Sequence, residues 1–312
     1  MPLAGAAGGR KLRSLFVLGA PRCGTTFVSK LLARHPQICF SKPKEPHFFV
    51  RAGARAPSRE LAERYLRAYF SHLGDSHRVL AEGSPSYLYD PSIPLRLLEF
   101  DPDASFVVCV RNPIEMAPSY HARLVYTLDE DVDEFASAWA LQDARARGER
   151  LPRRCRDSRM LQYRGVCMLG EQLERLFAAV GRERCFVTVF EDLVREPARV
   201  HAELLRFACV EPDTPASFRR SNENRVFKHA WLQPMLSNPP APVAWTIERW
   251  EERGWGRPPA IRAIRRRLKR WNTRKVPRPP LAPAVRETLR ASFADDVARL
   301  ASLLRRDLSH WC

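Results

Sequence analysis

The sequence predicts an α/β fold of three layers, a central parallel sheet flanked by helices on both faces. Three observations predict it. Short runs of large apolar residues recur five times, at 15–18, 38–41, 79–81, 106–110 and 185–190. Segments with apolar residues at helical spacing separate most of these runs. A glycine-bounded loop, residues 19–24, leads from the first run straight into a helical pattern. Strands alternating with helices give crossover connections and a parallel sheet covered on both sides. Ligands of such sheets lie outside the carboxyl ends of the strands. The loops after Gly19, Ser41, Ala81 and Val110 are therefore expected to share one edge.

The first 11 residues are small, glycine-rich and basic, and disorder is expected through 1–13, with a single folded domain over 14–312. Residues 15–18 form a buried strand ended by Gly19. Phe27, Leu31 and Leu32 begin a helical apolar face that His35-Pro36 closes, because proline disfavours helical geometry in the residue before it. Residues 38–41 make a second strand, followed by a loop over 42–49 that carries Lys42, Lys44, Glu45 and His47. The spacing predicts a helix over 58–73, then a third strand ending in Glu82-Gly83-Ser84-Pro85-Ser86-Tyr87. The clearest strand is Phe-Val-Val-Cys-Val at 106–110, capped by Arg111-Asn112-Pro113. Pro113 suits the first turn of a helix running through Ser119 and Arg123.

Amphipathic helices are predicted over 132–147 and 161–180, with a basic stretch between them, then a fifth strand at 185–190 and a helix at 197–209. The chain over 210–280 is proline-rich and expected to be irregular, covering substrate or cofactor, with Trp231, Trp245, Trp250 and Trp255 spread through it. A last helix occupies 281–306.

At 312 residues the chain can bury a large core, and its net charge of +17 calls for an anionic partner: nucleic acid, a membrane surface, or anionic small molecules and polysaccharides. The excess is dispersed arginine with one dense cluster at 262–275. The eight cysteines contain no C-x-x-C pair, which argues for a reducing compartment without structural disulfides or a zinc site. Neither a signal-peptide core nor eighteen consecutive apolar residues occurs, so a soluble cytoplasmic protein is expected.

Strand, glycine-bounded loop and helix make a phosphate cradle, in which backbone N–H groups and the positive helix end converge on one anion. The spacing follows a Walker A loop, G-x-x-x-x-G-K-[ST], with one exception. Thr25 stands where the lysine belongs, and the cation sits earlier, at Arg22. A kinase needs that lysine on the transferred phosphate and the next hydroxyl on magnesium. Arg111 ends the fourth strand where a P-loop enzyme commonly presents an aspartate to magnesium. It offers a bidentate fork for a phosphate, with the Ser119 hydroxyl two helical turns on.

Pro21-Arg22-Cys23-Gly24-Thr25-Thr26 resembles the 5′-phosphosulfate loop P-[RK]-x-G-T-T of sulfotransferases, which use 3′-phosphoadenosine 5′-phosphosulfate (PAPS). The Arg-Asn-Pro…Ser-Tyr run from Arg111 is similar to their 3′-phosphate element, R-[ND]-P-x₅-S. Glu45-Pro46-His47-Phe48-Phe49 resembles the E-x-[HQ]-F-F element of the carbohydrate, heparan-sulfate type, in which the glutamate is the proposed base. Glu82 to Tyr87 resembles the E-K-[ST]-P-x-Y element, with Gly83 where a lysine is common, and 224–228 lies where these enzymes close a basic loop. The resemblance runs from Leu15 to about Asp192 and points to a soluble, bacterial-like member without a membrane anchor.

The resemblance implies a P-loop-NTPase-like sulfotransferase fold with PAPS as co-substrate and no metal. It implies that Arg22, Cys23, Gly24, Thr25, Thr26, Arg111 and Ser119 hold the nucleotide. Catalysis then falls to Glu45 as general base, with Arg22 and Lys42 or Lys44 supplying positive charge, and His47 orienting Glu45 or touching substrate. The partner is a hydroxyl-bearing acceptor, a saccharide or related small molecule. Two other classes compete: a P-loop kinase accounts for the first loop alone, and an anionic-polymer or nucleic-acid binder for the charge alone. No recognisable nucleic-acid module is present, so no nucleic-acid partner is expected.

Overall fold

The computed structural model describes residues 12–53, 56–213, 225–229, 231–237, 249, 259–277 and 279–311. The chain divides into two compact units. One comprises Met1–Asn112, Leu169–Ser221 and Asp296–Ser309, the other Pro113–Met168, Asn222–Asp295 and His310–Cys312.

The first unit is built on five parallel strands: β1 (Arg13–Gly19), β2 (Ile38–Phe40), β3 (Val79–Gly83), β4 (Ser105–Val110) and β5 (Cys185–Val189). They are the five that the sequence predicts. Their order across the sheet is β2-β3-β1-β4-β5. Near-continuous apolar runs suit strands covered on both faces, and β1 is buried at every position after Arg13. Arg13, which the sequence assigns to a disordered terminus, pairs with Val79 as the first residue of β1.

From β1 the chain moves outward to β2, returns to β3, then crosses to β4 on the other side of β1. The order reverses between β1 and β4, and that reversal opens a crevice at the strands' carboxyl ends. Helices α1 (Thr25–Leu32), α2 (Phe48–Arg51), α3 (Arg59–Tyr69) and α4 (Ser92–Phe100) belong to the same unit. Pro91 and Pro94 hide α4 in the sequence, yet its Ile93, Leu97 and Phe100 are all buried. Proline is tolerated in a first helical turn, where the N–H it lacks has no helical partner.

The second unit is mainly helical. It opens with α5 (Pro113–Thr127), α6 (Phe135–Ala140), α7 (Gln142–Ala146) and α8 (Tyr163–Cys167). The helix predicted over 132–147 is thus split at Leu141, and the one over 161–180 ends its first part at Cys167. Its second part is α9 (Leu169–Val180), in the first unit, followed after β5 by α10 (Phe190–Arg195) and α11 (Pro197–Ala208). The Asp296 carboxylate caps α9 by accepting from the Gly170 and Glu171 N–H groups at 2.9 and 2.8 Å.

At the centre of the second unit Glu130 and Arg145 form a wholly buried, two-pronged ion pair at 2.5 and 2.7 Å, joined by the Tyr163 hydroxyl. Within 210–280, expected to be irregular, the described residues form β6 (Arg225–Phe227), α12 (Gln233–Ser237), α13 (Pro259–Trp271) and β7 (Thr273–Lys275), the strands pairing antiparallel. Trp245, Trp250, Trp255 and Asn224 lie outside the described residues. The last helix, α14, spans Pro283–Leu304.

Candidate active site

The loop after β1 turns tightly over residues 21–24 and enters α1 at Thr25. Its two glycines are required by geometry. A Cβ on Gly19 would stand 2.7 Å from the Leu88 side chain, and Gly24 has a φ of +98° with Leu193 2.8 Å from where its Cβ would be. No side chain caps α1. Phe27 and Val28 donate to the Gly24 carbonyl, so the N–H groups of Gly24, Thr25 and Thr26 open the helix without intrahelical acceptors. Cys23 and Thr25 are buried, while Arg22 and Thr26 are half-buried. This is the donor set of an anion cradle, and it fits a phosphosulfate group.

Arg111, at the carboxyl end of β4, reaches this loop. Its guanidinium donates to the Arg22 carbonyl at 3.3 Å and lies over the Phe190 ring at 4.5 Å. Phe190 opens α10, just beyond β5, and also packs near Gly24. Two motifs 89 residues apart in sequence therefore meet on one edge of the sheet. Ser119 belongs to the second unit, buried within α5.

The loop after β2 is held at the same edge. Ser41 donates its N–H to Ala81 of β3, and Gly83 donates to the Lys44 carbonyl. Phe48 and Phe49 turn inward: Phe49 meets Phe16 of β1, Tyr65 of α3 and Phe100 of α4 at centroid separations of 6.1, 5.5 and 5.1 Å. The aromatic pair anchors the loop in the core and leaves Lys44, Glu45 and His47 half-buried at the rim. Lys44 Nζ lies 2.6 Å from one Glu45 carboxylate oxygen, and His47 Nε2 4.0 Å from the other. Burial pushes the thiol of Cys109 on β4 up to about 12, with the Lys44 ammonium opposing the rise. Lys42 is exposed.

His47 is fixed from below by two hydroxyls of the 82–87 turn. It has a φ of +48° at the entry to α2. Its N–H donates to the Ser84 hydroxyl at 3.0 Å, and its Nδ1 lies 2.8 Å from the Ser86 hydroxyl. Ser84 in turn donates to Glu82 at 2.6 Å, and Tyr65 donates to the other Glu82 oxygen at 2.5 Å. Burial pushes the Glu82 carboxyl above its ordinary range, against hydrogen bonds from Ser84, Tyr65 and Tyr87 that favour the charged form. Glu82 is thus an interior anchor for the 82–87 turn. Gly83 is closely packed as well, since a Cβ there would stand 2.7 Å from the Ser29 hydroxyl.

Among the described residues no cysteine is in a disulfide, and no helix is long and apolar enough to cross a membrane.

Comparison with known proteins identifies the family. The family model for the sulfotransferase domain matches residues 12–256. Over 125 residues the chain is 30% identical to human heparan sulfate glucosamine 3-O-sulfotransferase 6, a stretch of 39% of this chain and 34% of that protein. A stretch of 124 residues is 25% identical to the bifunctional heparan sulfate N-deacetylase/N-sulfotransferase 1 of Caenorhabditis elegans, covering 37% of this chain and 13% of that one. These matches span about a third or less of the relatives' own length. A crystal structure of a sulfotransferase from Alicyclobacillus acidocaldarius superposes with a TM-score of 0.65 at 25% identity, covering 95% of this chain and 97% of the other. The parallel sheet, the capless helix after β1 and the match over most of its length agree, and the chain belongs to the sulfotransferase family, whose members depend on PAPS.

Proposed function

We propose that this protein transfers the sulfuryl group of PAPS to an acceptor hydroxyl by in-line displacement, with Glu45 as general base. The observation that carries the reading is the meeting of Arg111 with the loop of Arg22, at the edge where Glu45 is also held. Arg22, Cys23, Gly24, Thr25 and Thr26 cradle the 5′-phosphosulfate through backbone N–H groups, two hydroxyls and one guanidinium. Arg111 takes the 3′-phosphate. PAPS supplies the sulfuryl group.

Glu45 accepts the acceptor's hydroxyl proton while that oxygen forms a bond to sulfur. The bond from sulfur to the 5′-phosphate oxygen breaks, and its electron pair stays on the departing bisphosphate. Arg22 and Lys44 stabilise the negative charge that develops on the sulfuryl and bridging oxygens, so the scheme requires no metal. Lys44 stands in for the lysine that Gly83 replaces, because residue 83 has no room for a side chain beside Ser29. His47, held by Ser84 and Ser86, orients the carboxylate from its other side.

The acceptor class we infer is a saccharide hydroxyl, in line with the heparan sulfate relatives. The reaction is placed in the cytoplasm, where thiols remain reduced. The experiment that tests the base is Glu45→Gln. Turnover is expected to fall about 10²–10⁴-fold, the usual worth of a positioned base, with affinity for the bisphosphate product unchanged. Undiminished turnover in the variant removes Glu45 from the chemistry.

A further inference from the structure

Among its described residues the second unit displays an exposed apolar stripe. Seven large apolar side chains are exposed among the described residues, and five of them fall between 231 and 271. They are Trp231 at 70%, Met235 at 60%, Ile264 at 60%, Leu268 at 40% and Trp271 at 52%. Ile264, Leu268 and Trp271 are spaced four and three residues apart on α13, which puts them on one face. Local contacts gather the other two nearby. The His229 ring stacks on Trp271 at 4.8 Å, two residues before Trp231. Arg265 donates to the carbonyl of Leu236, next to Met235, at 2.6 and 3.1 Å.

A stripe of this spacing normally faces a core. Here it is rimmed by charge of one sign. Residues 259–275 contain eight lysines and arginines and no acidic residue. Arg266, Arg267, Arg270 and Arg274 are exposed, as is Lys228 next to the stacked histidine. Arg267 and Arg270 flank the stripe on the side away from Arg265, which is turned into the unit.

From this arrangement we propose that α13 and the 231–235 segment dock on an anionic lipid surface. The helix lies in the interface, with Ile264, Leu268 and Met235 among the acyl-chain ends, both tryptophans at headgroup depth and the arginines on lipid phosphates. Basic helices with an apolar face and an aromatic end partition in this way. An anionic polysaccharide would satisfy the arginines but gains nothing from exposed isoleucine, leucine and methionine, whose hydration a lipid surface relieves. The stripe decides between the two.

Co-sedimentation of the full-length chain with vesicles tests the proposal. Binding is expected to phosphatidylcholine vesicles containing phosphatidylglycerol and not to phosphatidylcholine alone, with a blue shift of tryptophan emission. Ile264→Ser with Leu268→Ser is expected to weaken partitioning about tenfold or more. Arg267→Gln with Arg270→Gln should cost about fivefold per arginine. All four side chains are exposed, so the variants should fold, and unchanged binding of 3′-phosphoadenosine 5′-phosphate confirms that they do. Failure to bind either vesicle overturns the proposal, as does vesicle binding insensitive to all four substitutions. Retention on immobilised heparin that the Ile264 and Leu268 changes leave intact, without vesicle binding, assigns the face to a polysaccharide instead.

Discussion

A half-buried arginine that bonds a backbone carbonyl and stacks on an aromatic ring is already aimed before any ligand arrives. Arg111 has both restraints, from the Arg22 carbonyl and the Phe190 ring. Arg111→Ala is therefore expected to weaken binding of the bisphosphate by about 2–5 kcal/mol, the cost of losing one charged contact to a phosphate, as read by calorimetry. Glu45→Gln should act in the opposite manner, on turnover alone. A variant of Arg111 that keeps full affinity but loses rate would exchange the two roles. At this scale the sequence singles out a residue where it sits inside a local pattern: Arg22, Thr25, Glu45 and Arg111 are all picked out by their immediate neighbours. Tyr65 and Phe190 are not, and the turn that holds Ser84 and Ser86 is recognisable without showing that they bind His47. Pairing of β3 with β1 and β2 lays the 82–87 turn beside the 42–47 loop, and pairing of β4 with β5 brings Phe190 to Arg111; no short window of sequence contains either contact.

Among the elements, the five strands were legible because buried parallel strands are written as unbroken apolar runs, with no pattern to misread. Helix boundaries were less so. Just after the break at Met168, α9 is capped by Asp296, which lies more than a hundred residues from the N–H groups it satisfies. The helices of the second unit are also tied by a charge pair that periodicity does not reveal. Glu130 is strongly desolvated, yet the Arg145 and Tyr163 hydrogen bonds hold its carboxyl below the ordinary range. Removing one member strands the other without solvent. Arg145→Ala is expected to destabilise the protein by about 3–5 kcal/mol in urea unfolding, while Arg145→Met with Glu130→Leu recovers much of that loss. A loss below about 1 kcal/mol for Arg145→Ala would mean that water reaches the pair.

For the molecule as a whole, acid sensitivity follows from its paired carboxylates. The Arg306 guanidinium bonds both oxygens of Asp192 and holds that carboxyl below its ordinary value of 3.8. A carboxyl depressed in the folded state adds stability that is present above the unfolded value and is lost as pH falls through the folded one. Asp192→Asn should accordingly flatten the acid limb of the stability curve below pH about 4, with little change in its slope near neutrality. Parallel acid limbs in the two proteins would contradict this. The net charge of +17 calls for anions without saying which, because charge carries no geometry. The sheet edge supplies that geometry. It brings Arg111 to the Arg22 loop, where a helix opens without a side-chain cap.

On the proposed mechanism this edge binds an adenosine bisphosphate through protein cations. Calorimetric titration with 3′-phosphoadenosine 5′-phosphate in EDTA, beside ATP with and without magnesium, tests it most directly. Tight binding of the bisphosphate in EDTA and weak binding of ATP in either condition are expected. Magnesium-dependent binding of ATP, with none of the bisphosphate, would contradict it.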